Sequence, residues 1–97
     1  MSETAETLRL DKWLFFARFF KSRGVAAERI ERGGIRLNGQ PCRKPGRAIR
    51  PGDLIVISAF GHLRCIRVTA LPDRRGPASE AREAYEILDD GAAQKSG

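Results

Sequence analysis

Residues 9–39 decide the fold of this chain and read RLDKWLFFARFFKSRGVAAERIERGGIRLNG. Apolar residues in the first part recur with the spacing of an amphipathic helix, and a second, shorter helical pattern follows. Gly33 and Gly34 are expected to stop the second helix, because glycine readily adopts the positive φ of a helix C-terminus. Ile35–Leu37 alternates as a strand does, and Asn38-Gly39 is a strong signal for a two-residue hairpin turn. The stretch therefore predicts two helices followed by a β-hairpin.

The first helix is predicted over residues 10–19. At 100° per residue, Asp11 and Arg18 lie opposite its apolar face. Phe15 and Phe19 share a side with Lys12, so they could either stack on bases or pack against the sheet or a C-terminal helix. The predicted core face consists of Leu10, Trp13, Leu14, Phe16, Ala17 and Phe20.

The second helix has a narrow apolar face. Ser22 is its predicted N-cap, because a serine hydroxyl can accept a hydrogen bond from the free N–H groups of the first turn. Ala26, Ala27 and Ile30 form the apolar face, and these mostly small side chains would let the two helices approach closely.

The rest of the chain predicts a small sheet and one more helix. Residues 40–50 form a basic loop with at most a short strand, and residues 54–58 and 63–71 form strands separated by a turn at Phe60-Gly61-His62. Pro77 then suits the first position of a helix. Its apolar face would consist of Ala81, Ala84, Tyr85 and Leu88.

These elements predict an α+β fold: two packed N-terminal helices, a small and mostly antiparallel sheet that covers them, and a C-terminal helix. Residues 1–8 are expected to form a flexible tail, and residues 9–72 a single domain. Residues 73–97 would contain a basic turn, the C-terminal helix and a short flexible tail.

Positive charge is concentrated between residues 9 and 50. This segment carries twelve Lys or Arg against three acids, a net charge of +9 in 42 residues, whereas the rest of the chain carries −3. Such a local patch on a folded unit predicts a polyanionic partner. RNA and DNA are the first candidates.

An anionic membrane is a weaker candidate. The longest apolar cluster, residues 13–20, is interrupted by Arg18 and is far shorter than the roughly 20 residues of a membrane-spanning helix. The N-terminal residues are acidic and contain no apolar signal segment, so we expect a cytoplasmic protein. Cys42 and Cys65 are the only cysteines and His62 is the only histidine. We therefore expect reduced thiols, no metal site and no cofactor.

The order of these features resembles the S-four RNA-binding domain, named for ribosomal protein S four, over residues 9 to about 58. The resemblance implies the S-four-like fold, which is built on the αL motif. The matching positions are Arg9-Leu10-Asp11, Ser22-Arg23, Ala26, Ile30, Gly33, Ile35, Leu37-Asn38-Gly39 and Pro51-Gly52-Asp53.

A narrower resemblance links residues 9–23 and 74–86 with the ribosome-associated heat-shock protein fifteen family. That family binds free large ribosomal subunits that still carry a nascent chain on tRNA, and helps to recycle them. Its members have a long basic C-terminal extension, whereas residues 80–97 here are net acidic. Functions of that extension are therefore not expected to transfer.

The resemblance implies an RNA-binding surface formed by the first helix, the turn after it and the start of the second helix. The residues themselves support this, because they lie off the core faces and Ser22 precedes free N–H groups that suit a phosphate. On the hairpin and the basic loop, Arg43 and Arg50 could extend the surface. The predicted RNA-binding residues are Arg9, Lys12, Lys21, Ser22, Arg23, Arg29, Arg36, Lys44 and Arg47.

Two roles stay open at this stage. Asp11 could position Arg9 or Lys12, or could form an ordinary ion pair on the helix surface, worth under about 1 kcal/mol. Arg74 and Arg75 could contact RNA or merely solvate a turn.

Three functions are consistent with the sequence. The first is a non-catalytic protein, monomeric when free, that binds structured ribosomal RNA of the large subunit during recycling of stalled subunits carrying nascent chain–tRNA. Its broader form is a general RNA-binding module for ribosome assembly or another structured RNA. The second is an enzyme such as a pseudouridine synthase, but no catalytic domain fits after residue 58 and no nucleophile–base pair is apparent. The third is an electrostatic protein-interaction module whose basic face meets an acidic partner or an anionic membrane.

Overall fold

The structure, a computed structural model, describes residues 6–90. Helices and antiparallel strands are both present, which confirms the predicted α+β class. The elements in chain order are β1 (Leu8–Arg9), α1 (Leu10–Phe16), α2 (Arg23–Glu31), β2 (Ile35–Leu37), β3 (Gln40–Pro41), β4 (Ala48–Ile49), β5 (Leu54–Ala59), β6 (His62–Val68), α3 (Ala78–Ala81), a 3-10 turn (Arg82–Ala84) and β7 (Tyr85–Asp90).

Five strands form the main sheet in the order β3-β2-β5-β6-β7, and each neighbouring pair is antiparallel. β1 and β4 pair separately, through Leu8 with Ile49 and Arg9 with Ala48. Leu8, which the sequence assigned to a flexible tail, is therefore part of a strand. The rest of the tail up to residue 5, and the tail predicted from residue 91, lie outside the described residues.

The core lies between the two long helices and one face of the main sheet. Trp13 is the largest fully buried side chain, and its indole N–H donates a 3.0 Å hydrogen bond to the carbonyl of Ala70. Burial of each aliphatic side chain here contributes about 1.5–3 kcal/mol of hydrophobic free energy. Other fully buried residues are Leu10, Leu14, Ala26, Ile30, Ile35, Ile49, Ile55 and Ile66.

α1 ends at Phe16, three residues before its predicted end. Arg18 adopts a left-handed conformation with a φ of 67°. Its N–H donates to the carbonyl of Phe15, and the N–H of Phe19 donates to that of Leu14, which is the Schellman pattern. An arginine at this position carries no sequence signal for a helix stop. Because the chain turns here, Phe16 is only half-buried, although it was predicted in the core.

α2 has the caps that the sequence predicts. The hydroxyl of Ser22 accepts a 3.1 Å hydrogen bond from the N–H of Val25 at the start of the helix. At the other end Gly33 has a φ of 94°, and the N–H of Gly34 donates to the carbonyl of Arg29. Both glycines therefore act as the predicted stop.

Two hairpins in the main sheet turn through a pair of residues with positive φ. Asn38 and Gly39 have φ values of 52° and 84°, and Phe60 and Gly61 have values of 55° and 77°. Positive φ at both central positions is the signature of a type I′ turn. His62, which the sequence assigned to the second turn, is the first residue of β6.

β6 is shorter than the predicted strand over residues 63–71. It ends at Val68, because the N–H groups of Thr69 and Ala70 bond instead to the carbonyl of Ala84. The chain therefore leaves the sheet before the segment that leads to α3.

The C-terminal helix is present but short. Ala81 and Ala84 are buried, as expected. The prediction that the helix continues through Tyr85 and Leu88 is wrong, because these residues belong to β7, which pairs with β6. A strand here saturates the free backbone groups at the edge of β6, and aromatic and β-branched residues such as Tyr85 and Ile87 favour extended backbone.

Cys42 is a buried free thiol and Cys65 is a half-buried one. Within residues 6–90, no group of three or more His, Cys, Asp or Glu is placed to hold a metal ion. Over the same part of the chain, no helix combines the length and apolar character needed to cross a membrane.

Candidate nucleic-acid interface

A buried carboxylate lies at the centre of the basic surface. Asp11 is only 3% exposed, although the sequence placed it on the solvent side of the first helix. Its two oxygens accept 3.0 Å hydrogen bonds from Nε and Nη2 of Arg9, and Nε of Arg23 lies 3.5 Å from Oδ2. The Arg9 and Arg23 side chains remain 51% and 45% exposed. The acid therefore holds two arginines together while they face solvent.

The ionised form of Asp11 is favoured despite its burial. Desolvation acts to raise the pKa of this carboxyl, but the hydrogen bond and charge of Arg9, the N–H of Lys12 and the charge of Arg23 outweigh it. The pKa of Asp11 therefore lies below its ordinary value of 3.8. The same bond raises the pKa of Arg9, which stays charged.

The basic loop is fixed against the start of α1. The N–H groups of Leu10 and Asp11 donate to the carbonyls of Arg47 and Pro45 at 2.9 and 3.0 Å. These bonds satisfy two of the N–H groups that a helix start leaves free. The loop itself turns through a 3.0 Å bond from the N–H of Arg47 to the carbonyl of Lys44.

Gly46, at the tip of this turn, lies beneath Arg9. A Cβ built on Gly46 would be 3.5 Å from the Arg9 guanidinium carbon. The guanidinium group is thus held between the loop and the Asp11 carboxylate. Both contacts limit the movement of the half-exposed Arg9 side chain.

Three segments therefore meet at Asp11: the start of α1, the start of α2 and the turn at residues 44–47. Seven of the nine predicted binding residues belong to these segments, and most of them are exposed. We call this group the Asp11 cluster, and it consists of Asp11 with Arg9, Lys12, Lys21, Ser22, Arg23, Lys44 and Arg47.

Several cations of the cluster have no partner in the part of the chain that the structure describes. Within residues 6–90, the side chains of Lys12, Lys21, Lys44 and Arg47 form no hydrogen bond or ion pair. Their charges are thus not neutralised by a neighbouring acid in that part of the chain. Such groups are available to a polyanion.

Ser22 has a structural role in the cluster. Its hydroxyl is occupied by the N–H of Val25, so the serine fixes the start of α2. The preceding N–H groups of α2, at Arg23 and Gly24, point along the helix axis and carry its partial positive charge. Gly24 has only the Ser22 hydroxyl within 4 Å of a built Cβ, so its surface is open.

Arg29 and Arg36 lie outside the Asp11 cluster. Arg29 is near the other end of α2, with its guanidinium 5.7 Å from the ring centre of Phe60. Arg36 is on β2 and donates a 3.0 Å hydrogen bond to the carbonyl of Gly39 in its own hairpin turn. The structure therefore does not bring these two predicted residues to the same surface.

The two aromatic residues that the sequence left open both have internal partners. Phe19 packs on Tyr85 at 4.7 Å and on Trp13 at 5.8 Å between ring centres. Phe15 is covered by the guanidinium of Arg75, 4.8 Å from the ring centre. In this structure both rings pack within the protein.

The basic turn at residues 73–76 docks on the end of α1. Arg75 donates a 3.1 Å hydrogen bond from Nε to the carbonyl of Phe15, and Arg18 donates a 2.7 Å bond to the carbonyl of Gly76. Arg74 forms a 3.1 Å ion pair with Glu80. These arginines have structural contacts that their sequence context did not reveal.

Sequence reasoning left the role of Asp11 open and assigned Phe60 only to a turn. A signal for Asp11 existed, since it is the only acid among the first basic residues and lies two positions after Arg9. Its burial depends on the loop at residues 44–47, which is distant in sequence. Phe60 gave no signal, because an aromatic residue in a tight turn is not a recognised pattern.

The chain is similar to a known family and to several known proteins. The family model "S4 domain" matches residues 8–55. "Heat shock protein 15 homolog" of Aeromonas salmonicida is 41% identical over 85 residues, which cover 88% of this chain and 64% of that protein. "RQC P-site tRNA stabilizing factor" of Listeria innocua is 37% identical over 84 residues, 87% of this chain and 89% of that protein.

A solved structure is also similar. It is described as the trimeric structure of Vibrio cholerae Heat Shock Protein 15, with a TM-score of 0.81 and 35% identity over 86% of this chain and 83% of that one. The chain spans slightly less than two thirds of the Aeromonas salmonicida relative, but most of the Listeria innocua relative.

Proposed function

The chain belongs to the S4-domain family that includes these heat shock protein 15 relatives, and we propose that it is a non-catalytic RNA-binding protein of the ribosome. It binds structured ribosomal RNA on the large subunit and acts in the recycling of stalled subunits that carry nascent chain–tRNA. The name of the Listeria innocua relative refers to a P-site tRNA, which supports a ribosomal partner. Such a partner implies a cytoplasmic location.

The observation that carries the proposal is the Asp11 cluster. Two arginines are fixed by one buried carboxylate, and further cations from the loop and from both helix starts surround them. A guanidinium group whose plane is already fixed loses less side-chain entropy when it binds a phosphate. The cluster is therefore preorganised for a phosphate backbone.

Recognition by this surface is expected to depend on phosphate geometry rather than on base identity. Its contacts would come from arginine and lysine and from the free N–H groups at the start of α2. Double-helical RNA presents a deep and narrow major groove that side chains do not read, so shape and backbone dominate recognition. No step of covalent chemistry is part of this function.

The electrostatic test uses two variants with the same change in net charge. Lys12→Ala with Arg47→Ala removes two cations of the cluster, and neither side chain has a partner within residues 6–90. Arg67→Ala with Arg82→Ala removes two cations elsewhere: Arg67 is on β6 and Arg82 is in the 3-10 turn. Affinity for a structured ribosomal RNA fragment is measured by fluorescence anisotropy from about 50 to 200 mM salt.

We expect the first variant to bind more weakly, with the slope of log K against log salt reduced by about two, because each lost phosphate contact changes the slope by about one. The control variant keeps the wild-type slope. Equal effects of the two variants would show that binding follows net charge alone. Binding of an acidic protein with no affinity for RNA would favour the electrostatic interaction module.

The ribosomal part of the proposal is tested by sedimentation of the tagged protein from lysate through a sucrose gradient. Co-migration with free large subunits, lost in the Lys12→Ala and Arg47→Ala variant, is the expected result. Migration with small subunits or with free RNA would contradict the large-subunit role. Sedimentation velocity of the purified protein tests the proposed monomeric state of the free chain.

A further inference from the structure

A second surface with both aromatic and cationic side chains lies at the turn between β5 and β6. Phe60 occupies the tip of this turn and is 71% exposed, the most exposed of the large apolar side chains within residues 6–90. Its ring is tilted against that of Phe20, with 6.2 Å between ring centres, and the guanidinium of Arg29 lies 5.7 Å from the ring centre. Most of the ring is open to solvent.

The backbone of Phe60 is in an unfavourable conformation for this residue type. Its φ of 55° is in the left-handed region, which asparagine, aspartate and glycine adopt far more readily than a bulky aromatic. The left-handed region costs a non-glycine residue roughly 1–2 kcal/mol. The turn geometry does not explain a phenylalanine at this position, and the contacts with Phe20 and Arg29 leave most of the ring exposed. Such a conformational outlier favours a functional constraint.

A cleft opens beside the ring. Its volume is about 280 Å³, just below the range of about 300–1,000 Å³ that is typical of sites for drug-sized molecules. Arg18 and Phe19 of the connection between α1 and α2 form one side. The hairpin residues Ala59, Phe60, His62 and Arg64 form the other. We call this space the Phe60 cleft.

Cationic side chains surround the Phe60 cleft. Arg18 and Arg64 line it together with His62, and Arg29 lies against the ring. Glu28 is near the ring on the side of α2, where it forms a 3.0 Å ion pair with Arg32. The surface therefore combines an exposed π-face with guanidinium groups.

We propose that the Phe60 cleft binds one unpaired nucleotide of RNA, with the base stacked on the Phe60 ring and its phosphate beside the surrounding guanidinium groups. Exposed aromatic rings next to cations are the elements with which proteins hold single-stranded nucleotides, because every base presents a π-face. A paired base could not reach the ring without leaving its stack, so the nucleotide in the cleft is an unpaired one. This inference rests on the proposed RNA binding, but it concerns a different surface from the Asp11 cluster.

The experiment compares two RNA duplexes that differ by a single bulged uridine. The protein is used as the wild type and as Phe60→Asn, which removes the ring and suits the left-handed turn, so that the variant should fold at least as well as the wild type. We expect the wild type to prefer the bulged duplex by about fivefold or more, because stacking of a base on an aromatic side chain is worth about 1–3 kcal/mol. Phe60→Asn should bind both duplexes equally, at the wild-type affinity for the paired one.

A direct readout comes from Phe60→Trp, with the wild type as the reference for the buried Trp13. Its added fluorescence should be quenched by the bulged duplex and by a short oligouridylate, but not by the paired duplex. Retention of the preference in Phe60→Asn, or unchanged fluorescence of Phe60→Trp with all three RNAs, would overturn the inference and leave the proposed function intact.

Two further outcomes distinguish base stacking at Phe60 from general RNA affinity and from self-association of the chain. If the wild type binds neither duplex, the proposed function fails. The fluorescence of Phe60→Trp with oligouridylate then decides by itself whether the cleft binds an unpaired base. If Phe60→Asn shifts the sedimentation coefficient to a smaller species without changing RNA binding, the ring covers a second copy of the chain and the inference is wrong.

Discussion

Arg9 donates two hydrogen bonds of 3.0 Å to the buried carboxylate of Asp11. This bidentate geometry fixes the plane of the guanidinium group as well as its position. The acid is 3% exposed and the arginine side chain is about half exposed, so the negative charge is buried below an exposed guanidinium group. Asp11 lowers the net positive charge of the basic patch by one unit. It can nevertheless favour anion binding, because it fixes the cations that would contact the anion.

We predict that Asp11→Asn weakens both stability and RNA binding. The amide keeps the shape of the carboxylate but loses its charge and one acceptor, so the free energy of unfolding should fall by about 1–2 kcal/mol; this figure is reduced because both arginine partners are about half exposed. Affinity for structured RNA should fall about two- to fivefold, since Arg9 and Arg23 are no longer held. Denaturant unfolding and fluorescence anisotropy measure the two effects.

The control is Glu31→Gln, which adds the same unit of charge at an exposed position in the last turn of α2. Each variant removes one negative charge, so net charge alone predicts that both bind RNA slightly more tightly than the wild type. If Asp11→Asn behaves like Glu31→Gln, the carboxylate has no positioning role.

The contribution of Asp11 to stability should depend on pH in acid. Its pKa in the folded state lies below the ordinary value of 3.8, so the folded state binds the proton less readily than the unfolded state does. The stabilisation is therefore complete above the unfolded pKa and is lost as the pH falls through the folded pKa.

The measurement is the difference in unfolding free energy between the wild type and Asp11→Asn at several pH values. This difference should be constant from about pH 7 to about pH 5 and should shrink steadily below about pH 4. Persistence of the full difference at about pH 2.5 would mean that packing, and not the carboxylate charge, is the source of the effect.

Local sequence signals were sufficient for the parts of the fold that depend on caps and turns. Ser22, Gly33 and the Asn38-Gly39 pair each require a particular backbone conformation, and the structure has those conformations. The alternation of β2 and the apolar run of β5 likewise identified two central strands of the sheet. In each case the information lies within a few residues.

Features that depend on distant partners were missed. Arg18, in the turn that ends α1, donates a hydrogen bond to the carbonyl of Gly76, 58 residues away. The change from helix to strand at Tyr85 depends on the free edge of β6. The burial of Asp11 depends on the loop carbonyl of Pro45 and on the neighbouring α2. Periodicity within one segment contains none of this information.

The candidate site was predictable in part for the same reason. Most of the cluster is formed by residues close in sequence at the two helix starts, whereas the grouping of Lys44 and Arg47 with them requires the loop to fold back. Arg29 has the same charge and lies on the same helix as Arg23, but about two turns of helix place it beside Phe60 instead.

We predict that Arg75→Ala destabilises the protein without affecting RNA binding. The guanidinium of Arg75 covers the Phe15 ring at 4.8 Å and bonds to the Phe15 carbonyl, so its removal should cost about 1–2 kcal/mol of unfolding free energy. The salt dependence of RNA affinity should stay at the wild-type slope. Thermal unfolding and anisotropy are the two measurements.

Arg74→Ala is the matched control, because Arg74 has the same charge and is adjacent, but forms only an exposed ion pair with Glu80. Its unfolding free energy should change by less than about 1 kcal/mol. A decrease of about one in the salt slope for Arg75→Ala alone would instead place this turn in contact with RNA.

Two glycines of the helical layer should respond in opposite directions to alanine. A Cβ at Gly34 would lie 2.9 Å from the backbone carbonyl oxygen of Ser58. Ser58 is held in β5, and its N–H donates a hydrogen bond to the carbonyl of Gly34. The added Cβ would also collide with the side chain of Arg29. Gly34→Ala should therefore lower the unfolding free energy by about 1–3 kcal/mol, since this strand cannot easily move.

Gly24→Ala should raise stability by up to about 1 kcal/mol, because Gly24 is in the first turn of α2 and a Cβ there meets only the Ser22 hydroxyl at 3.9 Å. The same methyl group would narrow the approach to the free N–H groups at the start of α2. Weaker RNA binding by this more stable variant would show that a phosphate contacts the helix start. Unchanged affinity would restrict the RNA contacts to the side chains of the Asp11 cluster, and a loss of stability would contradict the open environment of Gly24.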